Sequence, residues 1–211
     1  GSLYRKGVNK ARALRGLNAD VREAGPMTDA DQLDVLLAYS AALLPRPLEW
    51  DSRKLVIGPL LDLDSGQAQP AQQPAETEAS ERAAVDFAET RPCVYMYLGG
   101  HFGSYKTKGH RQRVLGACVS GAKQAGTRVI LVCPAAFGVL AEALAGPECL
   151  ILPALPALRA QVAILTKCQA LVCSGDHATV HTGARSGLPM CTLDLGRDDR
   201  EEAFWGLRLA A

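Results

Sequence analysis

Residues 111–134 read RQRVLGACVSGAKQAGTRVILVCP. Apolar side chains return at Val114, Leu115, Cys118, Val119 and Ala122, the three-and-four spacing that gathers one face of a helix, and Gly126 stands where such a helix would stop. Then the period changes. From Val129 to Cys133 every residue is apolar, as expected of a parallel strand covered on both faces; a strand with one wet face would alternate. A helix, a glycine stop and a doubly buried strand form one unit of an α/β fold.

The same alternation extends in both directions. Upstream, ASERAAVDFAETR (79–91) places Ser80 before acidic residues and predicts a helix start, and Pro92 leads into CVYMYLGG (93–100), whose aromatic and β-branched residues predict a strand. A glycine-rich turn, GGHFGS (99–104), follows. Downstream, VLAEALAG (139–146) predicts a short helix, ECLILP (148–153) a strand, LRAQVAILTKC (158–168) a helix, QALVCS (169–174) a strand, HATVHTGARSG (177–187) a helix and PMCTLDL (189–195) a strand. Strands alternating with helices predict a Rossmann-like, doubly wound parallel sheet.

The first third of the chain lacks this rhythm. VNKARALRGLNADV (8–21) predicts a helix, TDADQLDVLLAYSAALLP (28–45) a capped helix or a strand, and RPLEWDSRKLVIGPLL (46–61) ends in an extended run. Residues 65–80, SGQAQPAQQPAETEAS, hold nothing apolar larger than alanine and cannot bury enough surface to offset the entropy of ordering. The expected organisation is therefore an N-terminal helical and connecting segment at 1–64, a flexible linker or loop at 65–80 and an α/β domain at 81–211.

Composition bounds the partners. Lysine and arginine total 23 against 22 aspartates and glutamates, a formal charge of +1, which supplies no field to attract nucleic acid or an anionic membrane. No apolar run reaches the roughly 18 residues of a membrane span. Seven cysteines lie far apart, without a CxxC pair and mostly inside apolar runs, a pattern of buried free thiols in a reducing compartment. No metal-ligand spacing and no Ser-His-Asp arrangement is present.

Several stretches together resemble family 1 glycosyltransferases of the GT-B fold, in the sterol 3-β-glucosyltransferase branch: YSAALLPRPLEW (39–50), KLVIGPLLDLD (54–64), PCVYMYLGG (92–100), TVHTGARSGLP (179–189) and AFWGLRL (203–209). The resemblance implies two Rossmann-like domains. The N-terminal one binds the acceptor and supplies a catalytic histidine; the C-terminal one binds a UDP-sugar. It covers the end of the first domain, the linker and most of the second, so the acceptor half is expected to be largely missing, as are the closing helices, and no catalytic residue is assigned. Residues 1–50, resembling the edge of a larger domain, are the expected surface for a protein partner.

The resemblance also locates a donor site. At a helix N-terminus free N–H groups and a partial positive charge suit a diphosphate, and the family places a histidine and two glycines there. In this chain those positions hold Ser174, Gly175 and Asp176. Ser174 can cap the helix and donate one hydrogen bond, and His177 and Thr179 can donate from the first turn. Asp176 instead sets a carboxylate where the diphosphate would lie, and like charges about 4 Å apart repel by about 4 kcal/mol at an effective dielectric near 20. Its simplest role is to cap the helix or pair with a basic side chain.

The remaining site positions are equally altered. The family's Asp-Gln pair for sugar hydroxyls falls on Asp198 and Asp199 or on Glu201 and Glu202, depending on register in LDLGRDDREE (193–202), and neither register supplies the glutamine. The base-stacking aromatic is replaced near Ala154 and Pro156 in LPALPAL (152–158), a loss of ~1–3 kcal/mol. Gly99 and Gly100 keep the glycine turn near the donor. Among the histidines, His101 lies in the loop expected to face the cleft, His110 begins a basic helix, and His181 is expected mid-helix, packed or facing solvent. The resemblance thus implies either a UDP-sugar-dependent glycosyltransferase-like protein too altered to work alone or a silent relative kept as a structural or interaction subunit.

Overall fold

The computed structural model describes residues 35–59, 75–99, 102, 107–133, 143–193 and 200–210. The helix expected over 8–21 lies outside them. Two short strands, β1 (Val35–Leu37) and β2 (Lys54–Val56), pair in parallel with Leu36 beside Leu55. The expectation for 28–45 thus resolves, at 35–37, as a strand. Between these strands the Arg46 guanidinium donates to the carbonyls of Trp50, Asp51 and Lys54, so the arginine of PRPLEW holds the connection together.

The remaining strands form a second, larger sheet. Its members are β3 (Cys93–Tyr97), β4 (Arg128–Val132), β5 (Cys149–Leu152), β6 (Ala170–Cys173) and β7 (Met190–Thr192). All neighbours are parallel and the order across the sheet is β5-β4-β3-β6-β7. Five helices accompany it among the described residues: α1 (Ala75–Thr90), α2 (Lys108–Gln124), α3 (Leu158–Leu165), α4 (His177–Arg185) and α5 (Arg200–Ala210). The doubly wound α/β architecture expected from the alternation is the one observed.

Side-chain alternation along the strands builds two cores. On one face Met96, Val129, Leu131 and Cys149 pack with Leu115, Val119 and Ala122 of α2. On the other, Tyr95, Ile130, Leu152 and Leu171 pack with Ala84 and Ala88 of α1, Ile164 and Leu165 of α3, Val180 of α4 and Trp205 of α5. All five residues of β4 are buried, which is why its sequence shows no polar alternation. Arg128, at its start, sends its guanidinium across to the end of α1, donating to the carbonyls of Phe87 and Arg91 and to Thr90 Oγ1, while it lies 3.9 Å over the Phe87 ring. α1 has no basic residue in its own last turn, and the neighbouring strand supplies the cation its carbonyls favour.

Three local expectations need correction. The helix expected from Ser80 begins at Ala75, inside the stretch read as linker. The segment AETEAS cannot bury a core, but alanine and glutamate are good helix formers and propagation from an already packed helix costs little. The helix expected over 139–146 has its first four residues outside the described set; residues 143–146 form a turn in which Gly146 exchanges two 3.0 Å main-chain hydrogen bonds with Cys149. Pro147 disfavours a helix running into it. The acidic stretch 193–202 does not stay a loop to its end, because Glu201 and Glu202 lie in the first turn of α5, where negative charge suits the helix dipole.

The cysteines are all free; Cys93, Cys133, Cys149, Cys168 and Cys173 are buried, Cys118 is half-buried and Cys191 is exposed. Burial pushes the Cys149 thiol up to about 11, so it stays protonated and packs as a small apolar group. Among the described residues no helix is long and apolar enough to cross a membrane, and no group of three or more His, Cys, Asp or Glu side chains is placed to hold a metal ion.

Candidate functional site

In a doubly wound sheet the crevice lies beyond the carboxyl ends of the strands where the winding reverses. Here the chain runs from β3 outward to β4 and β5, then returns to the other side of β3 as β6 and β7. The reversal therefore falls between β3 and β6. Their last residues, Tyr97 and Cys173, are register partners, so the turns that follow are side by side: Leu98-Gly99 after β3, and Ser174-Gly175-Asp176 after β6. The register thus sets the turn that holds Gly99 beside the one that holds Ser174 and Gly175.

Both turns are buried at the glycines. Gly175 has φ +93°, a left-handed conformation that side-chain-bearing residues rarely adopt, and it turns the chain from strand to helix. Asp176 then caps α4: its Oδ1 accepts the Thr179 N–H at 3.0 Å. This is the capping role expected of Asp176. Ser174 does not cap, as had been allowed for it. It is 1% exposed and its Oγ has no hydrogen-bond partner among the described residues, and the second oxygen of Asp176, Oδ2, is likewise buried without one there. Two residues of separation put Ser174 before the turn, where it cannot reach the N–H groups that Asp176 meets.

The other expected groups are placed as follows. Thr179 is buried, and its N–H is spent on Asp176. His177 is half-buried with its ring stacked 4.1 Å from the His181 ring and 5.5 Å from Trp205. Gly100, Asp198 and Asp199, like His101, lie outside the described residues, and so do the side chains of Glu201 and Glu202. Ala154 is exposed and Pro156 buried just after β5, an outer strand two positions from β3.

The electrostatics of the turn are set by Asp176. The Tyr97 phenol is pushed above its ordinary range, first by burial and then by the Asp176 charge. Asp176 Oδ2 and Ser174 Oγ are both shut off from solvent, so neither is presented to a ligand in this conformation.

Two features escaped sequence reasoning. The motif glycine Gly183 is a packing residue: a Cβ there would lie 2.5 Å from Leu171 Cδ2 and 2.7 Å from Met190 Sδ, so its absence lets α4 settle on β6 and β7. His181 is buried mid-helix and ties α4 to the N-terminal segment, its Nε2 accepting the Ser40 N–H at 3.1 Å. The sequence held the packed alternative for His181, but no local signal points to a partner 141 residues away.

No family model matches the chain, and no curated protein does. Among solved structures it is similar to the glycosyltransferase SnogD from Streptomyces nogalater, at 20% identity and a TM-score of 0.37, over 83% of this chain and 48% of that one. The chain thus spans about half the length of that protein. The α/β fold stated above rests on strand order and register, not on this likeness.

Proposed function

We propose that the chain is the donor-side part of a GT-B, sterol glucosyltransferase-type protein whose UDP-sugar site has been closed by its own carboxylate, so that it does not transfer sugar by itself. One observation carries this reading. Asp176 accepts the Thr179 N–H at the N-terminus of α4, so the N–H group and the partial positive charge that would receive a diphosphate are already matched to an anion of the protein. Stabilising a departing diphosphate is a principal task of sugar transfer, and a fixed carboxylate beside it works against that step. Fold alone supplies no chemistry.

A structural or interaction role is the companion reading, favoured by the N-terminal strands. Leu36 and Leu55, register partners, are 61% and 48% exposed, and Ile57 beyond them is 46% exposed. Apolar side chains grouped this way on a two-stranded sheet suit contact with another surface, and they fall within or beside the 1–50 region expected to meet a partner.

Calorimetric titration with UDP and UDP-glucose tests the reading on the natural chain and on Asp176→Gly. Glycine at an N-cap costs only a few tenths of a kcal/mol relative to the usual capping residues, so the variant should fold. The expected result is no measurable binding by the natural chain and at least about tenfold tighter binding by the variant, about 1.4 kcal/mol. Tight UDP-glucose binding by the natural chain would overturn it.

A further inference from the structure

The α4 helix that begins at the crevice is also the place where the N-terminal segment docks. A single histidine supplies its side-chain hydrogen bond. His181 is 2% exposed, and both ring nitrogens are engaged: Nδ1 lies 2.9 Å from the His177 carbonyl oxygen and Nε2 3.1 Å from the Ser40 main-chain nitrogen. A carbonyl only accepts and a backbone N–H only donates. The proton therefore sits on Nδ1, and Nε2 must be bare. One neutral tautomer satisfies both bonds; the imidazolium, a donor at both nitrogens, would set N–H against N–H at Ser40.

We propose that His181 is a pH-sensitive clasp: as a neutral imidazole it holds the turn at residues 39–44 against α4, and on protonation it releases that turn from the α/β domain. This goes beyond the proposed function and holds whether or not the crevice takes a nucleotide.

The surroundings make the contact an all-or-none one. The turn is closed by Leu43 and Leu44 N–H groups donating to the Ser40 carbonyl, and Tyr39, Leu43 and Leu44 pack on the core that holds Val180 and Trp205. Loss of the Ser40 bond therefore loosens three apolar side chains as well. The His181 ring stands edge-on to Trp205 at 4.8 Å and against the His177 ring at 4.1 Å, so little space is left for water to solvate a new charge. The groups facing it are the Ser40 main chain from the N-terminal segment, the Trp205 ring from α5 and the His177 ring from its own helix.

Burial holds the His181 pKa below its ordinary value; the bond to the His177 carbonyl opposes this, and the His177 charge adds to it. Because the folded pKa is depressed, the clasp is complete above the unfolded histidine value near 6.5. It weakens as pH falls from there toward the folded pKa, by up to about tenfold per pH unit.

Amide hydrogen exchange of the full chain tests this, comparing a peptide covering Ser40–Leu44 with one from β4, at about pH 7.5 and about pH 5.5, where histidine changes charge, after correction for intrinsic exchange. Protection of the first peptide is expected to fall several-fold, up to about tenfold, at the lower pH while β4 keeps its own. In His181→Gln, whose side-chain oxygen can accept from Ser40 without titrating, protection should be flat; in His177→Gln the fall should persist. Equal protection at both pH values in the natural chain, or the same fall in His181→Gln, overturns the proposal. Should the variants not fold, the ring nitrogen shifts of the natural chain decide: a neutral Nδ1–H ring near pH 7.5 supports the clasp, and an Nε2–H or charged ring removes it.

Discussion

The two parallel sheets of this protein use the same kind of strand and reach opposite outcomes. β4 buries all five of its residues, with α1, α2 and α3 dividing its two faces. β1 and β2 each expose their middle residue, and the two exposed residues are leucines side by side. A strand becomes a core strand when both of its faces meet covering elements; apolarity alone does not decide it. The larger sheet is stable through its own packing. The smaller one depends on docking, through Tyr39, Leu43, Leu44 and the Ser40–His181 bond.

That contrast can be broken most directly in the larger sheet. Ile130 is fully buried at the centre of β4, so Ile130→Ala should cost about 2–5 kcal/mol, read as a lowered urea midpoint with an unchanged slope. Gly183→Ala should follow at about 1–3 kcal/mol, because the new methyl must displace Leu171 or Met190 from an already packed contact. A Met190→Ala change in the same chain should relieve part of that cost, which a purely backbone effect would not allow. Leu36→Ser should be the mildest, within about 0.5 kcal/mol for the isolated chain, as for other exposed positions. If Leu36→Ser proved as costly as Ile130→Ala, the smaller sheet would have a core of its own and the contrast would fail.

The order of these effects tracks what sequence could reveal. The large sheet was legible because its information is periodic and local: the run from Val129 to Cys133 and the spacing of Leu115, Val119 and Ala122 identify elements within a few residues. The start of α1 was missed because composition at 65–80 reports whether a segment can bury a core, while Ala75–Ser80 needed only helix propensity and a packed continuation at Ala84 and Ala88. β1 and β2 were legible only as ambiguous apolar runs, since three-residue strands are too short to show a period.

The candidate site divides the same way. Asp176 as a helix cap could be read from its place before HATVHTGAR, because capping is a contact between residues three apart. The isolation of Ser174 Oγ and of Asp176 Oδ2 could not, since whether a polar atom finds a partner depends on everything packed around it. Gly183 stood in a stretch quoted only for its family resemblance, and the structure makes it a contact with Leu171 and Met190.

By itself the sequence determined the class of the fold, the alternation of elements from β3 to β7 and the acidic cap at the turn after β6. These depend on neighbours along the chain, where hydrophobic period and capping act. Tertiary structure alone decided that β3 and β6 lie side by side, that the crevice opens at Gly99 and Ser174, and that Ser40 meets His181. Such pairings are set by which buried faces fit together across long stretches of chain, 141 residues for Ser40 and His181, and no local pattern encodes that choice.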